Sequence, residues 1–302
     1  MTYNLKLAVL IVSLIVVCAP LMPTRALAAC DATTIAGNYG FRLNSLFAPT
    51  MTVPAFFPIG SFVPGDAVGR IVFDPGTAAI PPSISGSAAG NSGGILKISA
   101  FTGTYSVNPD CTGTVHRVFA DGEVRDYEIA VVQGGAEIEF ANTSASPLPV
   151  VGGGVAKRAP ATCDATTIKG SYGLRLNQLF TTPFFPEPPS AFLHLDAFEP
   201  GALVGQIVFD STNPPSISGF RAGNTGGHPL SSTAFIGTYS VSPDCTGMVN
   251  QVFPEPNFLQ DRQYAIAIVE DGAEIEFADT IVSSLSGQRV FQIVGEGVAK
   301  KQ

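Results

Sequence analysis

The chain has 302 residues, 24 acidic against 16 basic side chains, a formal net charge of −8, and only 13% charged against 45% apolar residues. An acidic chain without a basic patch is a poor partner for nucleic acid and for anionic lipid. With 32 glycines, 24 prolines and no long stretch of apolar period near 3.6, helices are excluded as the main element.

Residues 1–28 read as a signal peptide. Lys6 precedes an apolar run from Leu7 to Leu21, broken by Ser13 and Pro20, and Thr24-Arg-Ala-Leu-Ala28 supplies small residues before a cut after Ala28. The run falls short of the roughly 20 residues that span a bilayer, so no transmembrane span is expected after cleavage. Removing Lys6 and Arg25 with no acid takes the net charge from −8 to −10. The expected localisation is secreted or periplasmic. Leu27-Ala-Ala-Cys30 also has the form of a lipobox, and a lipoprotein anchored through Cys30 is the alternative. Against it stand Arg25 and the return of Cys-Asp-Ala-Thr-Thr at Cys163, in mid-chain.

The rest of the chain says nearly the same thing twice. Cys30-Asp-Ala-Thr-Thr-Ile returns at Cys163, Tyr39-Gly-Phe-Arg-Leu-Asn as Tyr172-Gly-Leu-Arg-Leu-Asn, and Gly103-Thr-Tyr-Ser-Val with Pro109-Asp-Cys-Thr-Gly as Gly237-Thr-Tyr-Ser-Val with Pro243-Asp-Cys-Thr-Gly. A period of about 133 residues is the size of a whole domain. The expected organisation is a first repeat over 29–158, a linker over 159–162 and a second repeat over 163–302.

Within each repeat apolar residues alternate with period two. Strands are predicted near 35–47, 67–74, 83–90, 96–107, 112–119, 125–132, 136–142 and 148–157, with matching runs in the second copy. Tyr39, Phe41 and Leu43 share one face of the first strand, while Arg42 and Asn44 share the other. Gly134-Gly135 and Asp271-Gly272 read as tight hairpins. Asn108-Pro-Asp110 and Ser242-Pro-Asp244 read as turns, with Asp110 and Asp244 fixing them. Evenly spaced strands with short connections predict an all-β fold: two tandem antiparallel eight-stranded β-barrels, each wide enough for a packed interior or one small ligand. Two β-sandwiches are the alternative. The segments 46–64 and 179–200, rich in Pro and Phe, read as lids folded over the barrel mouths, or else as contact patches.

Cys18 lies in the signal, which leaves two cysteines per copy. Cys111 follows Cys30 by 81 residues and Cys245 follows Cys163 by 82. Of the three pairings open to four cysteines, one keeps both bonds within a copy, and the equal spacing selects it. No His or second Cys stands at ligand spacing, so no metal and no cofactor is expected.

The Gly-x-Tyr-Gly-Phe/Leu and Gly-Thr-Tyr-Ser-Val-x-Pro-Asp-Cys-Thr-Gly motifs, present in both copies, resemble those of a group of small secreted bacterial proteins of unassigned function. Their predicted shape is similar to allene oxide cyclase-like and lipocalin-like barrels. The resemblance implies the fold and brings no catalytic residues with it.

Candidate chemistry is sparse. His116 matches Asn250, and neither His194 nor His228 has a counterpart in the other copy, so a histidine mechanism common to both is excluded. No nucleophile elbow, phosphate loop or zinc motif is present, and no catalytic residue is assigned. The polar residues kept in both copies are the ligand-binding candidates: Arg42 with Arg175 and Asn44 with Asn177 if that face turns inward, and Tyr105 with Tyr239 if their hydroxyls line a cavity. Glu137, Glu139, Glu274 and Glu276 alternate with apolar residues and read as the wet face of a strand. The leading expectation is a non-catalytic extracytoplasmic protein whose barrels bind a small apolar ligand. A cyclase- or isomerase-like enzyme and a structural or surface-adhesion module are the alternatives.

Overall fold

The computed structural model describes residues 29–48, 59–144, 150–181, 193–255, 258–284 and 293–302. Residues 1–28, read above as a signal peptide, and residues 49–58 and 182–192 of the two Phe-rich segments lie outside these residues.

Alternation in the sequence becomes two closed antiparallel barrels. Barrel 1 comprises β1 (Gly37–Phe47), β2 (Val63–Asp74), β3 (Ser83–Ser92), β4 (Ile95–Val107), β5 (Thr112–Phe119), β6 (Val124–Val132), β7 (Glu137–Asn142) and β8 (Val150–Arg158). Barrel 2 comprises β9 (Gly170–Thr181), β10 (Phe198–Asp210), β11 (Ser216–Thr225), β12 (His228–Val241), β13 (Thr246–Glu255), β14 (Phe258–Val269), β15 (Glu274–Ser284) and β16 (Ile293–Lys301). Within each barrel every strand pairs with the next in sequence, β8 closes on β1, and β16 closes on β9. Closure leaves no open sheet edge, which a sandwich would. β2 begins at Val63 rather than Ala67, because Phe47 at the end of β1 pairs with Val63 and extends the ladder into the Pro- and Phe-rich segment. The two expected hairpins are single 3-10 turns, Gln133–Gly135 and Glu270–Gly272, with Gly134 and Asp271 at φ 65° and 54°. Gly and Asp both tolerate that left-handed backbone. The glycine of Gly-Thr-Tyr-Ser-Val also has a reason: a Cβ on Gly103 would stand 1.8 Å from the His116 carbonyl oxygen, and one on Gly237 equally close to that of Asn250.

One end of each barrel is plugged. Cys30 is bonded to Cys111 and Cys163 to Cys245, with Cα separations of 5.0 and 4.9 Å, and such bonds persist in oxidising compartments. They fasten residues 30–36 and 163–169 across the barrel base. Above each plug Tyr39, Phe73 and Tyr105, or Tyr172, Phe209 and Tyr239, pack edge to face. Asp110 Oδ1 and Asp244 Oδ1 accept the Thr112 and Thr246 amides, holding the turns at the second cysteines.

The barrels meet through different faces. Barrel 1 presents the outside of β1–β3, and barrel 2 presents the outside of β14–β16. Val68 and Ala89 pack against Ala265, Ala267 and Ala278, and a Cβ on Gly40 would stand 2.5 Å from Val269 Cγ1. Around this apolar centre lie polar anchors. Arg42 Nε donates to Glu276 Oε2 at 2.7 Å and its Nη1 reaches Glu296 at 2.5 Å. Lys157 reaches Glu274 at 2.7 Å. Asp66 Oδ2 accepts the backbone amides of Asp279 and Gly295 at 3.1 and 2.8 Å. Glu274 and Glu276 are therefore not the wet face predicted for them. Their strand parity is outward as read, but barrel 1 covers that side and leaves both buried, whereas Glu139, on the outward face of β7, is exposed.

Three buried carboxyls make stability depend on pH in an unusual direction. Burial raises Asp66 well above the ordinary range, with Asp279 adding to the rise and the accepted amides opposing it. Burial raises Glu276 to about 7 against the pull of Arg42, with Glu274 adding to the rise. It raises Asp279 to about 7 against Arg262, Gln178 and Arg221. A carboxyl whose folded pKa exceeds its unfolded one holds more protons when folded, so stability falls as pH rises through that interval. Between about pH 4 and 7 this outweighs the opposite trend from Glu274, which Lys157 and Lys300 hold down against burial. The melting temperature is expected to be higher at about pH 5 than at about pH 8. Thermal melts at the two values check it, and the reverse order would refute this account of the interface.

Candidate functional site

The half of barrel 1 away from the disulfide is hollow, and its sequence explains why. Inward positions of β2 and β3 carry Gly65, Ala67, Ala88, Gly90 and Ser92, with Ser45 beside them on β1. Together they border a cavity of about 640 Å³ whose apolar wall includes Leu43, Phe47, Val63 and Phe119. That lies within the usual range for small-molecule sites, about 300–1,000 Å³. Barrel 2 shares the register but carries larger side chains at two of these inward positions. Gly69 pairs with Ala88 in barrel 1 where Gly205 pairs with Arg221 in barrel 2, and Leu203 stands where barrel 1 has Ala67.

Two arginines project inward beside the cavity. On β5 the inward parity runs Val115, Arg117, Phe119; on β6 it runs Arg125, Tyr127, Ile129. Arg117 and Arg125 are directly opposed in register, a like-charge pairing that costs stability. Arg117 is 2% exposed. Its guanidinium lies 4.0 Å from the Phe101 ring centre, 4.9 Å from Phe119 and 5.0 Å from Phe41. Its Nη1 donates to the Tyr127 hydroxyl at 3.4 Å, and its Nε has no hydrogen-bond partner. No carboxylate among the described residues forms an ion pair with it. Burial holds Arg117 below the usual arginine range, Arg125 acts in the same sense, and Tyr127 and Glu123 oppose them. Arg125 Nη2 pairs with Glu123, which also pairs with Lys97 at the rim, while Arg125 Nη1 is buried without a partner. Guanidinium groups donate and never accept, so the inner end of this cavity carries positive charge and unused hydrogen-bond donors.

The mouth is covered in part by the other barrel. The Leu193 amide donates to the Gly93 carbonyl at 3.0 Å, the Leu195 amide to the Phe62 carbonyl at 2.6 Å, and His194 Nδ1 lies 2.6 Å from the Ser61 carbonyl. His194 itself borders the cavity. A segment between β9 and β10 thus leans over barrel 1.

None of the six sequence candidates lines this cavity. Arg42 turns outward into the interface, and Asn44, Arg175 and Asn177 are exposed. The Tyr105 and Tyr239 hydroxyls donate to the Ala32 and Ala165 carbonyls at 2.9 and 2.8 Å, holding the basal plugs. Arg117 and Arg125 were legible by parity, since both continue the inward set of Val115 and Tyr127. Comparison between copies hid Arg117, because Gln251 holds its place in barrel 2.

Among the described residues no cluster of His, Cys, Asp and Glu is disposed to hold a metal ion, and no helix is long and apolar enough to cross a membrane. No protein-family model matches the chain, and no curated protein matches it. The chemistry of the site therefore rests on its own geometry.

Proposed function

We propose that the chain is an exported, non-catalytic binding protein that holds a small, largely apolar ligand inside barrel 1. Residues 1–28 direct export on this reading, and the two disulfides suit the compartment beyond. The observation that carries it is the cavity of about 640 Å³ bordered by Leu43, Phe47, Val63 and Phe119. Barrel 2 supports barrel 1 through the shared interface and lends the segment that leans over its mouth.

Native mass spectrometry of the protein purified from its own source tests the reading. The expected result is one co-purifying small molecule per chain, lost when Ala67→Leu places in barrel 1 the side chain that barrel 2 carries at Leu203. An adduct retained unchanged by the Ala67→Leu chain would mean that the ligand sits elsewhere.

A further inference from the structure

Barrel 2 contains an internal control for the arginines of barrel 1. It too buries two guanidinium groups, but one comes from a different strand. Arg221 on β11 donates to the Tyr264 hydroxyl at 3.5 Å and lies 3.8 Å over Phe253. Arg117 on β5 makes the same two contacts, with Tyr127 and Phe119. Tyr127 and Tyr264 hold matching register positions, opposite Val115 and Val249. Both interiors therefore carry a cation at one spot, delivered by different routes.

The barrels differ in the acid placed near that charge: Asp279 acts on Arg221 through space in barrel 2. In barrel 2, Tyr264 pairs across the ladder with Asp279; in barrel 1, Tyr127 pairs with Asn142. Asp279 is buried and accepts from Gln178 Nε2 at 2.7 Å, and Gln178 Oε1 accepts from Arg262 Nη1 at 3.1 Å. Barrel 2 thus carries its own interior carboxylate. Barrel 1 has an amide there; of the acids bordering its cavity among the described residues, Asp66 turns its carboxyl to the Asp279 and Gly295 amides, and Glu123 is shared between Arg125 and Lys97. An isolated buried charge is costly unless something pairs with it. The missing anion has a cavity of about 640 Å³ to enter by.

We propose that the ligand of barrel 1 is an apolar carboxylic acid whose carboxylate is held by Arg117 and Arg125, with its hydrocarbon along Leu43, Phe47 and Val63. This rests on the reading of barrel 1 as a binding barrel. Tyr127, already in contact with Arg117, orients the guanidinium. The acid supplies in barrel 1 what Asp279 supplies in barrel 2.

Calorimetric titration of the full chain with dodecanoate and with its neutral methyl ester, both at pH 8, tests it. The unmodified chain is expected to bind one dodecanoate, more tightly than the ester by on the order of tenfold to a hundredfold, the strength of a charge-assisted hydrogen bond. Arg117→Met and Arg125→Gln, each checked for an intact fold by circular dichroism, are expected to bind acid and ester alike. If the ester binds the unmodified chain as tightly as the acid, the anionic class is wrong and apolar binding stands. If neither binds, the binding reading falls as well. If the acid is preferred and both variants keep the preference, or Ala67→Leu still binds it, the carboxylate is not on these arginines.

Discussion

Arg42→Ala is expected to destabilise the folded chain by about 3–5 kcal/mol, the cost of removing one partner from a buried ion pair. The guanidinium lies between Glu276, whose side chain is 1% exposed, and Glu296 at 17%. Without it two carboxylates face each other across a nearly dry surface, with Glu274 a third nearby. Arg175→Ala is the matched control. Arg175 holds the corresponding place on β9 but is exposed, so its loss should stay within about 0.5 kcal/mol. The two barrels have separate cores. Loosening their contact should therefore broaden or split the denaturant transition as well as move it. The deficit should also shrink toward pH 5, because Glu276, already raised to about 7 with its cation present, is neutral there once that cation is gone. Equal midpoints for the two variants would show that the interface does not rest on this pair.

Period-two alternation made the barrels legible, because a strand with one buried face commits every second residue. Tyr39, Phe41 and Leu43 on β1 and Tyr127, Ile129 and Val131 on β6 face inward as their parity requires. The disulfides were legible because the chain repeats the cysteine context. The covering of the outer face was not. Glu137 and Glu139 in β7 and Glu274 and Glu276 in β15 have the same local sequence, yet Glu139 meets solvent and Glu137 is half-buried 3.7 Å from Lys157, while Glu274 and Glu276 are buried against Lys157 and Arg42. Strand periodicity says which side of a sheet a residue takes and nothing about what packs there. The hint lay in Ala265 on β14, where barrel 1 has the exposed Glu128: a small residue on an outward face marks a close approach. The lining of the cavity was not legible for another reason. A residue kept in both copies marks a site only if both copies do one job. Ala67 against Leu203 and Ala88 against Arg221 are the differences that open barrel 1 at these positions, and Asn142 against Asp279 leaves Arg117 without an interior carboxylate beside it.

Removing either disulfide should cost about as much as removing Arg42, by a different mechanism. Each bond closes a loop of 81 or 82 residues, and on the chain-entropy model a loop of that length contributes about 4–5 kcal/mol by restricting the unfolded chain. The segments they fasten have few other ties. Residues 30–36 lie outside the ladder and are held by the Cys30 amide on the Pro109 carbonyl at 3.3 Å, the Tyr105 hydroxyl on Ala32, Arg158 on the Thr34 and Ala36 carbonyls, and burial of Ile35. Residues 163–169 repeat the amide, tyrosine and isoleucine contacts with Pro243, Tyr239 and Ile168. Cys30→Ser with Cys111→Ser should therefore free the base of barrel 1 and expose Tyr39 and Phe73, while barrel 2 keeps its plug; Cys163→Ser with Cys245→Ser should do the converse. Because each bond stays within its own barrel, the two losses should add to within about 0.5 kcal/mol. Denaturant midpoints of the two double variants and of the cysteine-free chain measure this. A reduced, alkylated chain that unfolds at the same midpoint as the oxidised one would show that the plugs are held by their buried isoleucines and tyrosines alone.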